Sequence, residues 1–242
     1  MVDAREFRVR ARLPVGKRPH QATLTPDGRL AVVTNEGDTF LTVIDVPLGK
    51  VVGQIAVDAA PFHVAITPNG RFAWVSYTGR DYVTLTDLAN RTRVKDLKFG
   101  RAPLHVSFGP DNSAWIADAE ANAVLRAPVG SESASDSWPS GAYPVEVAFT
   151  PEGTEAWIAN AVSNDVTVFN ARTGALLARI PAGRNPLHIA FSKDGKTAYL
   201  SERDDGTLAT INVASRTVVS RVAVGSQPDG VVTGPRSRKP GG

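Results

Sequence analysis

Pro61-Phe-His-Val-Ala-Ile-Thr-Pro-Asn-Gly70, with Ala73-Trp-Val-Ser-Tyr77 three residues further on, is the stretch that decides the fold. A proline opens a short apolar run, a Pro-Asn-Gly turn reverses the chain, and a second run of strand length follows. Proline presets φ, and glycine supplies the positive φ that a tight reversal needs. The pattern returns at Pro19–Gly28, Pro103–Asn112, Pro144–Gly153 and Pro186–Gly195, so the opening prolines are spaced 42, 42, 41 and 42 residues apart. A sixth copy starts at Pro228. A fixed period of this length marks a repeat architecture.

Each unit holds four apolar runs. The second reads Ala31-Val-Val-Thr-Asn35, Ala73-Trp-Val-Ser-Tyr77, Ala114-Trp-Ile-Ala-Asp118, Ala156-Trp-Ile-Ala-Asn160 and Ala198-Tyr-Leu-Ser-Glu202. A third run includes 83–87, 166–170 and 208–212, and a fourth 51–57, 176–181 and 218–224. Four short strands per unit, with turn signals every 8–12 residues, predict an all-β β-propeller of four-stranded antiparallel blades. β-Branched enrichment and period-two alternation exclude a helical solenoid. The expected organisation is one propeller domain over residues 6–235, followed by a flexible basic tail, 236–242.

The second-run motifs are variants of Tyr-Val-Thr-Asn, and Pro-x-x-Val-Ala-x-x-Pro-Asp-Gly is the usual opening of the same unit. Over roughly residues 6–235 the chain therefore resembles the YVTN family of propellers. That resemblance implies the fold far more than an activity, because such propellers host unrelated functions, among them surface-layer proteins, sugar lactonases and haem- or copper-binding proteins.

Ring closure stays open at this stage. With strands labelled a to d from the channel outward, residues 6–15 match a strand d and residues 230–234 a strand a. The chain thus reads as d, five complete repeats, then a. Five blades with accessory ends, an incomplete sixth blade, and part of a seven-bladed ring all satisfy this order, as does completion by another copy through incomplete blade edges. Blade number lies between five and seven.

Composition narrows the chemistry. With no cysteine, disulfides, thiolate metal sites and cysteine nucleophiles are excluded. The formal charge is only +3, much of the excess lying in Arg5, Arg8, Arg10, Arg12, Arg236, Arg238 and Lys239. That balance permits an anionic partner, yet no basic and aromatic stripe specifies nucleic acid. No apolar run reaches signal-peptide or membrane-spanning length, so the reading is a soluble chain without a membrane span, cytoplasmic as written, and periplasmic or extracellular if a leader has been removed. Dinucleotide, phosphate-loop, zinc-protease and nucleophile-elbow motifs are missing. The reading leans away from an enzyme, towards a scaffold that presents channel-mouth loops to a protein or polymer partner.

Repetition itself nominates one site. At the start of strand a, the units carry Gln21, His63, His105, Glu146, His188 and Gly230. Equivalent positions of successive blades converge on the axis, so His63, His105, Glu146 and His188 form a candidate divalent-metal set, with a lactonase-like hydrolase as the enzymatic alternative. The competing reading is structural: a residue in a proline-led turn that bonds a neighbouring backbone. His20 is off this register and reads as a loop residue. Asn35, Asp118, Asn160 and Glu202, at the end of strand b, join Gln21 as candidate channel-mouth residues, with turn capping as the alternative. Trp74, Trp115, Trp157 and Tyr199 share one position and read as core between blades. In the third unit the outer run, 131–138, is polar apart from Trp138 and reads as a weak edge.

Overall fold

The computed structural model describes residues 1–3, 6 and 8–234. Residues 236–242 lie outside the described residues, so the expected basic tail does too. The described residues contain no helix and form five four-stranded antiparallel sheets with strands in the order a-b-c-d, plus a hairpin of Val2–Asp3 with Arg8–Val9. Blade 1 is Pro19–Leu24, Leu30–Asn35, Phe40–Asp45 and Lys50–Ala56. Blade 2 is Pro61–Ile66, Phe72–Tyr77, Tyr82–Asp87 and Thr92–Lys98. Blade 3 is Pro103–Phe108, Ala114–Asp118, Ala123–Ala127 and Asp136–Pro139. Blade 4 is Pro144–Phe149, Glu155–Asn160, Asp165–Asn170 and Leu176–Pro181; blade 5 is Pro186–Phe191, Thr197–Glu202, Thr207–Asn212 and Thr217–Ala223. The fold is an all-β propeller, and strand a packs against strand a from blade 1 through to blade 5.

The core lies between blades. Ile55 on the outer strand of blade 1 and Val57 just past its end join Leu41 and Val43 in a cluster with Ala73 and Val75 of blade 2. Val166, Val168 and Ile180 of blade 4 meet Ala198 and Leu200 of blade 5 in the same way. Each tryptophan of strand b is fully buried and meets the strand-a phenylalanine of the next blade edge-on: Trp74 with Phe108, Trp115 with Phe149, Trp157 with Phe191. Edge-on pairs suit the ring quadrupoles. The turns follow the sequence too. Asp45, Asp87, Asn170 and Asn212 each accept an amide of the c-to-d turn that follows.

Three expectations need correction. His20 lies within strand a of blade 1, not in a loop; its ring stacks on Phe62 at 4.3 Å and its Nδ1 is 3.0 Å from the Phe62 carbonyl. The outer strand of blade 3 is confined to Asp136–Pro139, where Trp138 stacks on Trp115 at 5.0 Å. Residues 6–15 and 230–234 do not form ladder strands d and a: among the described residues, Arg8–Val9 pairs with Val2–Asp3 and not with a blade, and 10–15 and 230–234 lie in no strand. Their side chains still take the expected places. Leu13 and Val15 pack on Ala31 and Val33 of blade 1, the positions that Ile55 and Val57 occupy against blade 2. At the other end, Thr233 donates to the Phe191 carbonyl at 2.7 Å.

Among the described residues, no sheet follows blade 5, and its exposure records this. Ile55, Leu97 and Ile180 are 0%, 2% and 1% exposed, whereas Val222 at the same position is 58% exposed. Ile180→Ala is therefore expected to cost about 2–5 kcal/mol, the range for a buried large-to-small change. Val222→Ala should stay within about 0.5 kcal/mol, as for an open surface site. Urea unfolding of the two variants measures the contrast, and equal losses would contradict this account of the blade faces.

Candidate functional site

Strand a begins at the proline, and a register shift follows it in blades 1 to 5. The shift swings the side chain two residues after each proline along the axis towards the next blade. There, in blades 1 to 4, it accepts a hydrogen bond from an amide of the next inner strand. The Val64 amide donates to Gln21 Oε1 (2.8 Å), Val106 to His63 Nδ1 (3.5 Å), Val147 to His105 Nδ1 (3.3 Å) and Ile189 to Glu146 Oε2 (2.5 Å). A parallel set runs from strand b: Thr34 Oγ1 donates to the Phe62 carbonyl and Ser76 Oγ to the Leu104 carbonyl. Chemically different residues thus perform one task.

This task governs the histidines. His63 and His105 are buried, with ring centroids 3.8 Å apart. Burial above all, with repulsion from the protonated His188, pushes His63 down to about 3, and burial likewise holds His105 well below its usual value. Both rings are therefore neutral, and accepting at Nδ1 places the proton on Nε2. Neither ring keeps a free lone pair for a metal in this arrangement. His188 differs. Its Nδ1 lies 3.4 Å from Glu146 and its Nε2 3.3 Å from Asp229. Burial opposes the charge, but the two carboxylates outweigh it and raise His188 to about 10, while His188 in turn lowers Asp229. Gln21, His63, His105 and Glu146 line an axial cavity of about 480 Å³. Among the described residues, no group of three or more His, Asp and Glu side chains is arranged to hold a metal ion.

The strand-b ends are buried as well. Asn35, Asp118, Asn160 and Glu202 turn inward and grip the loop that enters their own blade. Asn35 takes the Gly16 amide, Asp118 the amides of Arg101 and Ala102, and Glu202 the amide of Gly183, while Asn160 accepts from Ser140 Oγ. Glu202 also forms a forked pair with Arg221. Although its burial opposes ionisation, Arg221, Thr207 and the Gly183 amide hold its carboxyl below the usual range. A glycine lies at or next to each grip, because a Cβ at Gly16, Gly100, Gly141 or Gly183 would overlap these side chains. The site residues missed in the sequence are Asp229, whose role needs the third dimension, and the amide donors, which no side-chain pattern encodes.

No family model matches the chain, and no curated protein matches it. Solved structures do. The chain is similar to the hydrazine synthase of Kuenenia stuttgartiensis, with 18% identity, a TM-score of 0.60, and coverage of 91% of this chain and 90% of that one. It is also similar to a functionally unknown protein from Desulfotomaculum acetoxidans, with 21% identity, a TM-score of 0.77, and coverage of 90% of this chain and 74% of that one. Identities this low support the β-propeller fold alone.

The histidines set opposite pH slopes. His188 binds its proton more tightly in the folded chain, so its contribution is complete below the unfolded value of about 6.5 and is lost as pH rises through about 10. His63 resists protonation when folded, so its burial costs stability as pH falls from about 6.5 towards about 3. His188→Gln should flatten the decline in urea midpoint between pH 7 and 9, and His63→Gln the decline on the acid side. An alkaline decline that persists undiminished in His188→Gln would overturn the assignment.

Proposed function

We propose that this YVTN-like propeller is a non-catalytic binding or scaffold protein that presents its mouth-face loops to a protein or polymer partner. One observation carries the reading: the polar side chains that converge on the axis, and those that end strand b, are occupied in holding blades and loops together. What remains free to meet a partner is the rim. The d-to-a and b-to-c loops share one face, because the first residue of strand a pairs with the last of strand b. Arg80, Arg101, Tyr143 and Val162 are exposed there. Exposed Tyr143 and Val162, on a face that also exposes the acidic Asp81 and Glu120, suit a protein surface better than a phosphate backbone.

A metal or lactonase-like role for His63, His105, Glu146 and His188 is the alternative, and it requires displacing at least two of the inter-blade amides. Elemental analysis of the purified protein and of a His63→Ala/His105→Ala/His188→Ala variant separates the two. The expected result is no stoichiometric zinc, copper or iron in either, even after reconstitution. Stoichiometric metal in the parent that a folded variant lacks would replace this reading with the metal one. On the binding side, crosslinked partners should be lost in Tyr143→Asp/Val162→Asp and kept in Leu48→Asp, whose exposed side chain lies in a c-to-d turn on the opposite face. Equal capture by both variants would remove the mouth face from the account.

A further inference from the structure

The side chains that tie the inner strands together spend their acceptor atoms on that task and keep their donors. His63 and His105 each accept a strand amide at Nδ1, so the proton of each neutral ring is on Nε2, across the ring from that bond. Gln21 accepts with Oε1 and keeps both hydrogens of its amide nitrogen. The two histidines are only 6% and 8% exposed, and they line the axial cavity of about 480 Å³. Among the described residues, neither Nε2 nor the Gln21 amide nitrogen has a hydrogen-bond partner, and none of the three is sealed off from open space. A largely buried N–H group without a partner is costly, so these donors call for an acceptor in the cavity. The ring centroids are 3.8 Å apart and both rings turn Nδ1 to the next strand in the same sense, which sets the two N–H groups side by side.

The rest of the wall narrows the acceptor. No Lys or Arg lines the cavity, so the double charge of a phosphate would find no counter-ion there. Glu146 is the one carboxylate in the wall, and it is engaged: Oε2 accepts the Ile189 amide and Oε1 lies 3.4 Å from Nδ1 of the protonated His188. Further along strand a the lining turns apolar, with Ala65, Ile66, Phe108 and Ala148. Neutral donors at one level and hydrocarbon at the next suit a singly charged head group on an apolar body.

We propose that the axial cavity binds a small monocarboxylate, its oxygens held by the N–H groups of Gln21, His63 and His105 and its apolar body lying against Ile66 and Phe108. The site is separate from the mouth-face rim, and its ligand is a small molecule rather than a protein or polymer. It also differs in sign from a metal site built on the same histidines. A cation needs their lone pairs, and those are turned into the interfaces between blades.

The probe is hexanoate, titrated into the nitrogen-15-labelled full chain and followed in long-range imidazole spectra, with hexylammonium as the control of equal length. The expected result is saturable one-to-one binding with a Kd of about 1 mM, as befits so few heavy atoms. It should shift the Nε2 signals of His63 and His105, which hexylammonium leaves in place. Two substitutions with precedent in the repeat separate the donor from the fold. His105→Gln keeps acceptor and donor, as Gln21 does, whereas His105→Glu keeps the acceptor alone, as Glu146 does. Hexanoate should bind His105→Glu at least about tenfold more weakly than His105→Gln, with both variants folded by circular dichroism. No saturable binding, equal affinity in the two variants, or equal binding of hexylammonium overturns the proposal. So does a parent chain whose His63 and His105 carry their protons on Nδ1, a result that needs no variant.

Discussion

From blade 2 to blade 5, each inner strand of this propeller is tied to the one before it through a backbone amide, and the rest of the architecture depends on that link. A four-stranded sheet of this size cannot bury both of its faces alone, so each blade is stable only against its neighbours. Apolar packing drives the faces together without fixing their rotation. The amide bond from Val64 to Gln21, repeated at His63, His105 and Glu146, adds direction. One such bond contributes about 1 kcal/mol, but an orphaned buried amide costs about 1–3 kcal/mol, so misplacement is penalised more than correct placement is favoured.

The link asks only for an acceptor of the right reach. Glutamine, histidine and glutamate all supply one, which is why the position varies in chemistry while the geometry repeats. A neutral imidazole can serve only with its lone pair on the donated side, and that requirement ties His63 and His105 to one tautomer. At His188 no following amide is engaged among the described residues, and the ring carries a proton between Glu146 and Asp229. The end of the repeat thus converts a structural position into a charged one.

Aromatic packing follows the same logic of handing on. Trp74, Trp115 and Trp157 each reach the next blade, so removing a neighbour strands the residue that faced it. Tyr199 sits at this position in blade 5 and is only half-buried. Blade 3 shows the tolerance of the scheme. Its outer strand is short and polar, yet Trp138 alone restores the apolar cover by stacking on Trp115.

The repeat, the strand order, the turns closed by Asp45, Asp87, Asn170 and Asn212, and the burial of the tryptophans were all legible in residues alone, because each depends on contacts set by a fixed period. The convergence of Gln21, His63, His105, Glu146 and His188 was legible too, as was the structural alternative for them. What no one-dimensional pattern contained was where their lone pairs point. That depends on the angle between adjacent blades, which brings the amide of one strand to the ring of another about 42 residues away. The fate of residues 6–15 and 229–234 was likewise decided only in three dimensions: a strand is a relation between two segments, and whether its partner is in place is not written in either one.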